Sequence, residues 1–322
     1  VSAAACELTD VRVALRREPH TLLVDGVSLS ASRGEIVGVV GETGAGKTLT
    51  MRALLGLLPG AVAATGTVAL GDERAALDDV AAVRAWLGLR TSVVLQNPVG
   101  MLDPMLRVGR QLVEGVVRRE IMREPEARWR ARELLAAMGF EDTARVQRLY
   151  PHELSGGMAQ RIVTAIGMMP RPEVLVLDEP TSALDANVRV EVLRLFRRIA
   201  VEEGTAVFLV SHDLGVVSHF CDAVAVMYAG RIVERGSTAQ IVGAPSHPYT
   251  TALLESSSTL TAERRRPVAT IGGAPPRPGQ WPHGCVFAPR CPRRAALCDA
   301  ERPQLVPRHE RPVACHYPSA EA

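Results

Sequence analysis

Gly41-Glu42-Thr43-Gly44-Ala45-Gly46-Lys47-Thr48 fits the pattern G-x-x-x-x-G-K-[ST]. Glycines let the backbone curl so that successive N–H groups point inward at phosphate oxygens. A helix starting there adds its positive N-terminal end. Lys47 can reach β- and γ-phosphates, and the Thr48 hydroxyl can ligate Mg²⁺. Gly41 to Thr48, with Leu49 just beyond, are therefore the candidate phosphate ligands. Val174-Leu175-Val176-Leu177-Asp178-Glu179 brings two carboxylates side by side at the end of an apolar run. Asp178 is suited to Mg²⁺, and Glu179 to activating a water as general base. Leu154-Ser155-Gly156-Gly157-Met158 opens a third segment, a helix N-terminus able to face a second phosphate group. His212 could donate to a γ-phosphate, and Gln96 could reach the metal or the water. Read singly, Asp178–Glu179 is also an ordinary acidic strand end, and Ser155 an ordinary helix cap.

Each group needs an element behind it. Glu35–Val40 reads as a buried strand feeding the loop, and Thr48–Leu58 as the helix after it, stopping at Pro59–Gly60. Ser92–Leu95 predicts the strand before Gln96, Val174–Leu177 the one before the acidic pair, and Ala206–Val210 the one before His212. Met158–Met169 and Asn187–Val201 have helical spacing, and Val108–Ala137 reads as an amphipathic helical subdomain. Val224–Met227 and Arg231–Glu234 predict a hairpin around Ala229–Gly230. Apolar runs alternating with helical patterns indicate an α/β fold.

Composition narrows the class. The chain has 322 residues, 47% apolar and 22% charged, a globular balance. No apolar run reaches the ~18 residues of a membrane span. Val1–Asp10 lacks a basic start followed by an apolar block, which predicts no secretory signal and a cytosolic protein. A net charge of +2 argues against a nucleic-acid partner. Of the 37 basic residues, 36 are Arg, so the single Lys47 marks a place where a compact ammonium is required.

After about residue 250 the composition shifts. Residues 261–322 hold 11 of the 22 prolines, which argues against continuing a packed sheet. Cys285, Cys291, Cys298 and Cys315 are spaced C-x5-C-x6-C-x16-C. Four thiolates could hold a [4Fe–4S] cluster or Zn²⁺, or carry no metal. Cys6 reads as a terminal thiol and Cys221 as a small buried residue.

Together the loop at 41–48, Gln96, the 154–158 segment, the 174–179 strand, Ser182-Ala183-Leu184-Asp185 and His212 resemble the ATP-binding-cassette (ABC) ATPases over about 250 residues. Gln96-Asn97-Pro98, Leu102-Asp103-Pro104, His247-Pro248-Tyr249-Thr250 with Leu253-Leu254, and Gly284–Pro292 look like the oligopeptide/dipeptide/nickel importer branch. The resemblance implies an ABC-type P-loop ATPase core (1–250) with an antiparallel β subdomain and a helical subdomain at about 97–165. A small Cys/Pro-rich C-terminal unit (251–322) would follow. It implies ATP hydrolysis powering uptake of peptides or a related small solute, with ATP and Mg²⁺ as ligands. Catalytic roles fall to Glu179, His212 and Lys47, and Mg²⁺ to Thr48, Gln96 and Asp178. Ser155, Gly156 and Gly157 would meet ATP held by a second, homologous but non-identical ATPase chain. The implied partners are two membrane permeases and an extracytoplasmic solute-binding protein, with this chain peripheral on the cytoplasmic face. A cluster in the tail, [4Fe–4S] with Zn²⁺ as the alternative, is also implied. Another class in view is a soluble ABC ATPase acting on ribosome or DNA; such proteins usually join two cassettes or carry a long coiled coil, and neither is visible. A non-hydrolysing regulatory cassette is opposed by the intact Asp178–Glu179 pair. Two departures stand out. Met158 replaces the commoner Gln, and no aromatic residue precedes Trp86 to stack on adenine, leaving His20, with Glu18 or Arg17 close by, as the nearest candidate.

Overall fold

The computed structural model describes residues 4–180, 186–257, 270–308 and 311–319. In chain order its strands are β1 (Ala4–Leu15), β2 (Leu22–Ser32), β3 (Ile36–Val40), β4 (Val62–Leu70), β5 (Glu73–Ala76) and β6 (Thr91–Val94). They continue as β7 (Val174–Asp178), β8 (Ala206–Ser211), β9 (Ala223–Tyr228), β10 (Arg231–Ser237), β11 (Val306–Arg308) and β12 (Arg311–Val313). The helices are α1 (Lys47–Leu54), α2 (Val80–Ala85), α3 (Val108–Arg118), α4 (Glu124–Ala137), α5 (Thr143–Arg148) and α6 (Gly156–Met168). Then come α7 (Ala186–Glu203), α8 (Leu214–Phe220), α9 (Thr238–Gly243), α10 (Pro248–Ser256) and α11 (Ala296–Ala300).

The larger sheet has the order β11-β12-β10-β9-β3-β8-β7-β6. Its middle is parallel: β9, β3, β8, β7 and β6 all run one way. β3 and β7 are buried along their whole length, which is why they read as unbroken apolar runs. Register levels their C-terminal ends. Val40 pairs with Ser211, Asp178 with Val210, and Val94 with Leu177. Open α/β sheets place ligands outside such ends. Here four candidate segments emerge at that edge: the 41–48 loop after β3, Gln96 after β6, Glu179 after β7 and His212 after β8.

The smaller, antiparallel sheet has the order β2-β1-β4-β5. Its inner residues, among them Cys6, Leu8, Val27 and Leu29, share one core with Met51 and Leu54 of α1 and with Val37 and Phe208 of the larger sheet. Cys6 is thus fully buried rather than a terminal thiol, and burial pushes its thiol up to about 12. On the other side, Leu112, Ala131, Leu135 and Ile162 of the helical layer pack in the core that holds Leu175 and Leu209.

Two expectations are corrected, the length of α1 and the place of the tail. α1 stops at Leu54 although Leu57 and Leu58 continue the apolar spacing. Gly56, at φ 65°, reverses the chain, and the Leu57 amide donates back to the Arg52 carbonyl. The helical region read at Val108–Ala137 consists of two helices, with the break where Glu120 takes a left-handed φ of 56°. The proline-rich tail does extend the larger sheet. β11 is its edge strand and β12 lies between β11 and β10, with Pro307 on the edge opposite Pro312. Cys285, Val286, Phe287 and Ala288 are likewise buried in the main core. The tail therefore shares the core of the larger sheet and does not stand on one of its own.

Candidate functional site

Two glycines fix the loop. A Cβ on Gly41 would lie 2.1 Å from the Met227 carbonyl oxygen, so only glycine fits. Gly46 sits at φ 97° as the N-cap of α1, with no side-chain cap, leaving first-turn amides free to face a ligand. Behind the loop the Lys47 ammonium donates to the carbonyls of Gly41 (2.7 Å) and Glu42 (3.0 Å). Burial lowers its pKa, opposed by the carboxylates of Glu179, Asp178 and Glu42. Lys47 is 5% exposed, a cation held by carbonyls and flanked by acids.

The Thr48 hydroxyl donates to Asp178 Oδ1 at 3.1 Å. Burial raises the Asp178 carboxyl, with the Thr48 hydrogen bond and Arg52 opposing. Glu179 follows at a left-handed φ of 48°, which a non-glycine residue adopts only when its surroundings hold it there. Its amide donates to the Val210 carbonyl. Its Oε1 lies 3.2 Å from His212 Nδ1, and its Oε2 accepts from Gln96 Nε2 at 3.3 Å. Gln96, Glu179 and His212 thus form one chain, with Asp178 and Thr48 directly beside it. Thr48, Asp178 and Gln96 supply hard oxygen donors that fit Mg²⁺, an ion usually held by one or two carboxylates plus substrate phosphates.

The 154–158 segment stands apart. Ser155 caps α6, its Oγ accepting from the Met158 amide at 3.3 Å. Ser155 and Gly156 are exposed, and a Cβ on Gly156 would meet nothing within 4 Å. Nothing in the chain's own packing requires that glycine. Ser182 to Asp185 lie outside the described residues.

The four tail cysteines are free thiols lining one small cavity, together with His247 and His316. Burial raises Cys285 and Cys291 and pushes Cys315 to about 11. The right donors are gathered, yet among the described residues no three His, Cys, Asp or Glu side chains are disposed to hold a metal ion. The structure therefore gives the cluster expectation no support in ligand geometry.

Sequence reading missed the tail's reach to the loop. Arg290 forks onto both carboxylate oxygens of Glu42, at 2.6 and 3.0 Å. Tyr249 accepts the Glu42 amide at 2.8 Å. A Cβ on Gly230 would collide with the Trp281 ring, and one on Gly279 would lie 3.2 Å from Thr21. An aromatic side chain thus comes near the hairpin rim from the tail, while His20 is exposed. Tyr249 and Gly284–Pro292 had stood out only as marks of a resemblance.

With this geometry in hand, comparison with known proteins gives a consistent answer. The family described as "ABC transporter" matches residues 24–182, and "Oligopeptide/dipeptide transporter, C-terminal region" matches residues 233–298. The oligopeptide transport ATP-binding protein AppD of Bacillus subtilis is 38% identical, covering 90% of this chain and 89% of that protein. The probable D,D-dipeptide transport ATP-binding protein DdpD of Escherichia coli is 38% identical over 92% of each. Among solved structures, cbiO1 from Clostridium perfringens, part of an ABC transporter complex, aligns with a TM-score of 0.64 at 24% identity. It covers 75% of this chain and 91% of that one, a likeness of fold.

Proposed function

The chain belongs to the ABC transporter family, in its oligopeptide/dipeptide branch, and from that premise we propose that it is the ATP-hydrolysing subunit of an importer of peptides or a related small solute. As a member of that family it is an ATPase. One observation carries the assignment of its site: beside Lys47, the Thr48–Asp178 hydrogen bond and the Gln96–Glu179–His212 chain are brought side by side by the adjacent carboxylates of Asp178 and Glu179.

In this reading the loop amides from Thr43 to Leu49 and the Lys47 ammonium hold the β- and γ-phosphates, whereas the Glu42 amide, expected among these ligands, is taken up by the Tyr249 hydroxyl. Thr48, Asp178 and Gln96 hold Mg²⁺, which when bound neutralises phosphate charge. Glu179 takes a proton from the attacking water, whose oxygen bonds to the γ-phosphorus as the β–γ bridging oxygen leaves with ADP. His212 orients Glu179 and donates to the γ-phosphate, and Gln96 steadies the other carboxylate oxygen. Both contacts are within reach of the carboxylate already.

The exposed Ser155 and Gly156 at this terminus, with open space at Gly156, support a site completed by ATP on a second, homologous chain. The segment at about 97–165 would receive the permeases. Its exposed Val99, Met101 and Met105, the last 80% exposed, favour a docking role. Among the described residues no helix is long and apolar enough to cross a membrane, in keeping with a peripheral subunit on the cytoplasmic face. An extracytoplasmic binding protein would deliver the solute. The relatives' names, all transport proteins, favour this reading over a ribosome- or DNA-directed ATPase.

The test is uptake of labelled di- and oligopeptides into vesicles carrying the assembled complex. Uptake should require ATP on the side of this chain; ATP hydrolysis without any peptide uptake would refute the peptide assignment. For the tail we propose a structural [4Fe–4S] cluster on Cys285, Cys291, Cys298 and Cys315, with Zn²⁺ as the alternative. What supports it is the resemblance together with the four thiols lining one cavity, a shared location and not a formed ligand set. Anaerobically purified chain should contain about four iron and four sulfide per protein. Zinc in their place selects the alternative, and absence of both rejects a metal site.

A further inference from the structure

Glu42 is an odd residue to find in a loop that grips polyphosphate, because a free carboxylate there repels the ligand. The structure shows what is done with it. Arg290 lies in the turn Ala288–Arg290, next to Cys291, and its side chain is 3% exposed. Its guanidinium forks onto the Glu42 carboxylate at 2.6 and 3.0 Å. It is itself fixed by the Gly272 and Ile271 carbonyls, at 2.8 and 3.1 Å, and by the Tyr228 hydroxyl at 3.3 Å. The other end of the residue is held as well, since the Glu42 amide donates to Tyr249 at 2.8 Å. Phe287, buried between the cysteines, stands edge-on to Tyr228 with ring centres 5.2 Å apart, and lies 5.3 Å from Tyr249. Tyr249 is fixed in turn by His247, whose Nδ1 accepts its amide at 3.0 Å.

We propose that Arg290 and Tyr249 are positioning residues of the nucleotide site: the C-terminal segment clamps Glu42 by its carboxylate and its amide, turning a repulsive charge away from the phosphates and fixing the loop for binding. The inference rests on the ATP-binding reading above. It makes the cysteine-bearing segment part of the nucleotide site, because Arg290 and Phe287 lie between Cys285 and Cys291 in the chain. Bidentate pairing of this kind depends on the planar fork and is not reproduced by a lysine.

The test is calorimetric titration of MgATP into the full chain and three variants, with turnover measured in the assembled complex. Arg290→Ala should weaken MgATP binding about tenfold, and Arg290→Lys about threefold, with turnover at saturating ATP near the parent value. Adding Glu42→Gln to Arg290→Ala should restore most of the affinity, because the freed carboxylate is then gone. A merely structural role for Arg290 gives no such rescue. Parent-like affinity in both single variants, or equal loss in the single and double variants, overturns the proposal. If the unmodified chain fails to bind MgATP, the reading beneath it falls too, so the two failures are distinguishable.

Discussion

Replacing Glu179 by Gln is expected to leave MgATP binding close to that of the parent and to cut turnover by about 10²–10³. The substitution keeps size and shape. It keeps one oxygen able to accept from Gln96, and it suits the left-handed backbone no worse than Glu does. What it removes is the basic oxygen that would take a proton from water. General-base catalysis of that kind is worth about 10²–10⁴. Ground-state binding falls instead to Lys47, the loop amides and the Thr48–Asp178 pair, none of which changes. Phosphate release from the assembled complex, measured beside nucleotide affinity, separates the two effects. Parent-like turnover would remove Glu179 from the role proposed for it.

Lys47 should behave in the opposite way. Lys47→Ala is expected to weaken MgATP binding by at least about 10², through two losses that add. The phosphates lose a buried ammonium. The same change strips Glu179, Asp178 and Glu42 of the cation that offsets their charge, so the empty site becomes net repulsive to a polyanion. Lys47→Arg should not rescue it. The chain uses Arg at every other basic position, yet here the ammonium fits between two carbonyls at 2.7 and 3.0 Å, a space for a point charge and not for a planar fork. An arginine that restored affinity would show that charge alone suffices.

The parts of the site that could be read from the sequence are those where chemistry and local structure coincide within a few residues. The strand into Gly41, the glycines, Lys47 and Thr48 form one segment, and Val174–Glu179 another. Long-range geometry could not be read in this way. Arg290 and Glu42 are 248 residues apart, and neither residue type alone signals the other. The smaller sheet was expected from the resemblance as an antiparallel subdomain, but its strands could not be placed from their own residues, for a local reason. β1 alternates through Cys6 and Leu8, but register shifts between Leu8 and Val11 break the period of two, with Asp10 at φ 48°. Glu120 ended a helix without the glycine or proline that usually announces it. The tail misled because proline was read as barring sheet, whereas Pro307 sits on the edge strand β11, where its missing N–H costs little, and β12 meets β10 only around Val313 and Ala314.

The central claim is that curled backbone amides and one buried ammonium hold the terminal phosphates of ATP. Titration calorimetry of MgATP into the chain and its Lys47→Ala variant tests it most directly. The account predicts one saturable site per chain in the parent, weakened by Mg²⁺ removal, and affinity lower by at least about 10² in the variant. Equal affinity in the two proteins would contradict it.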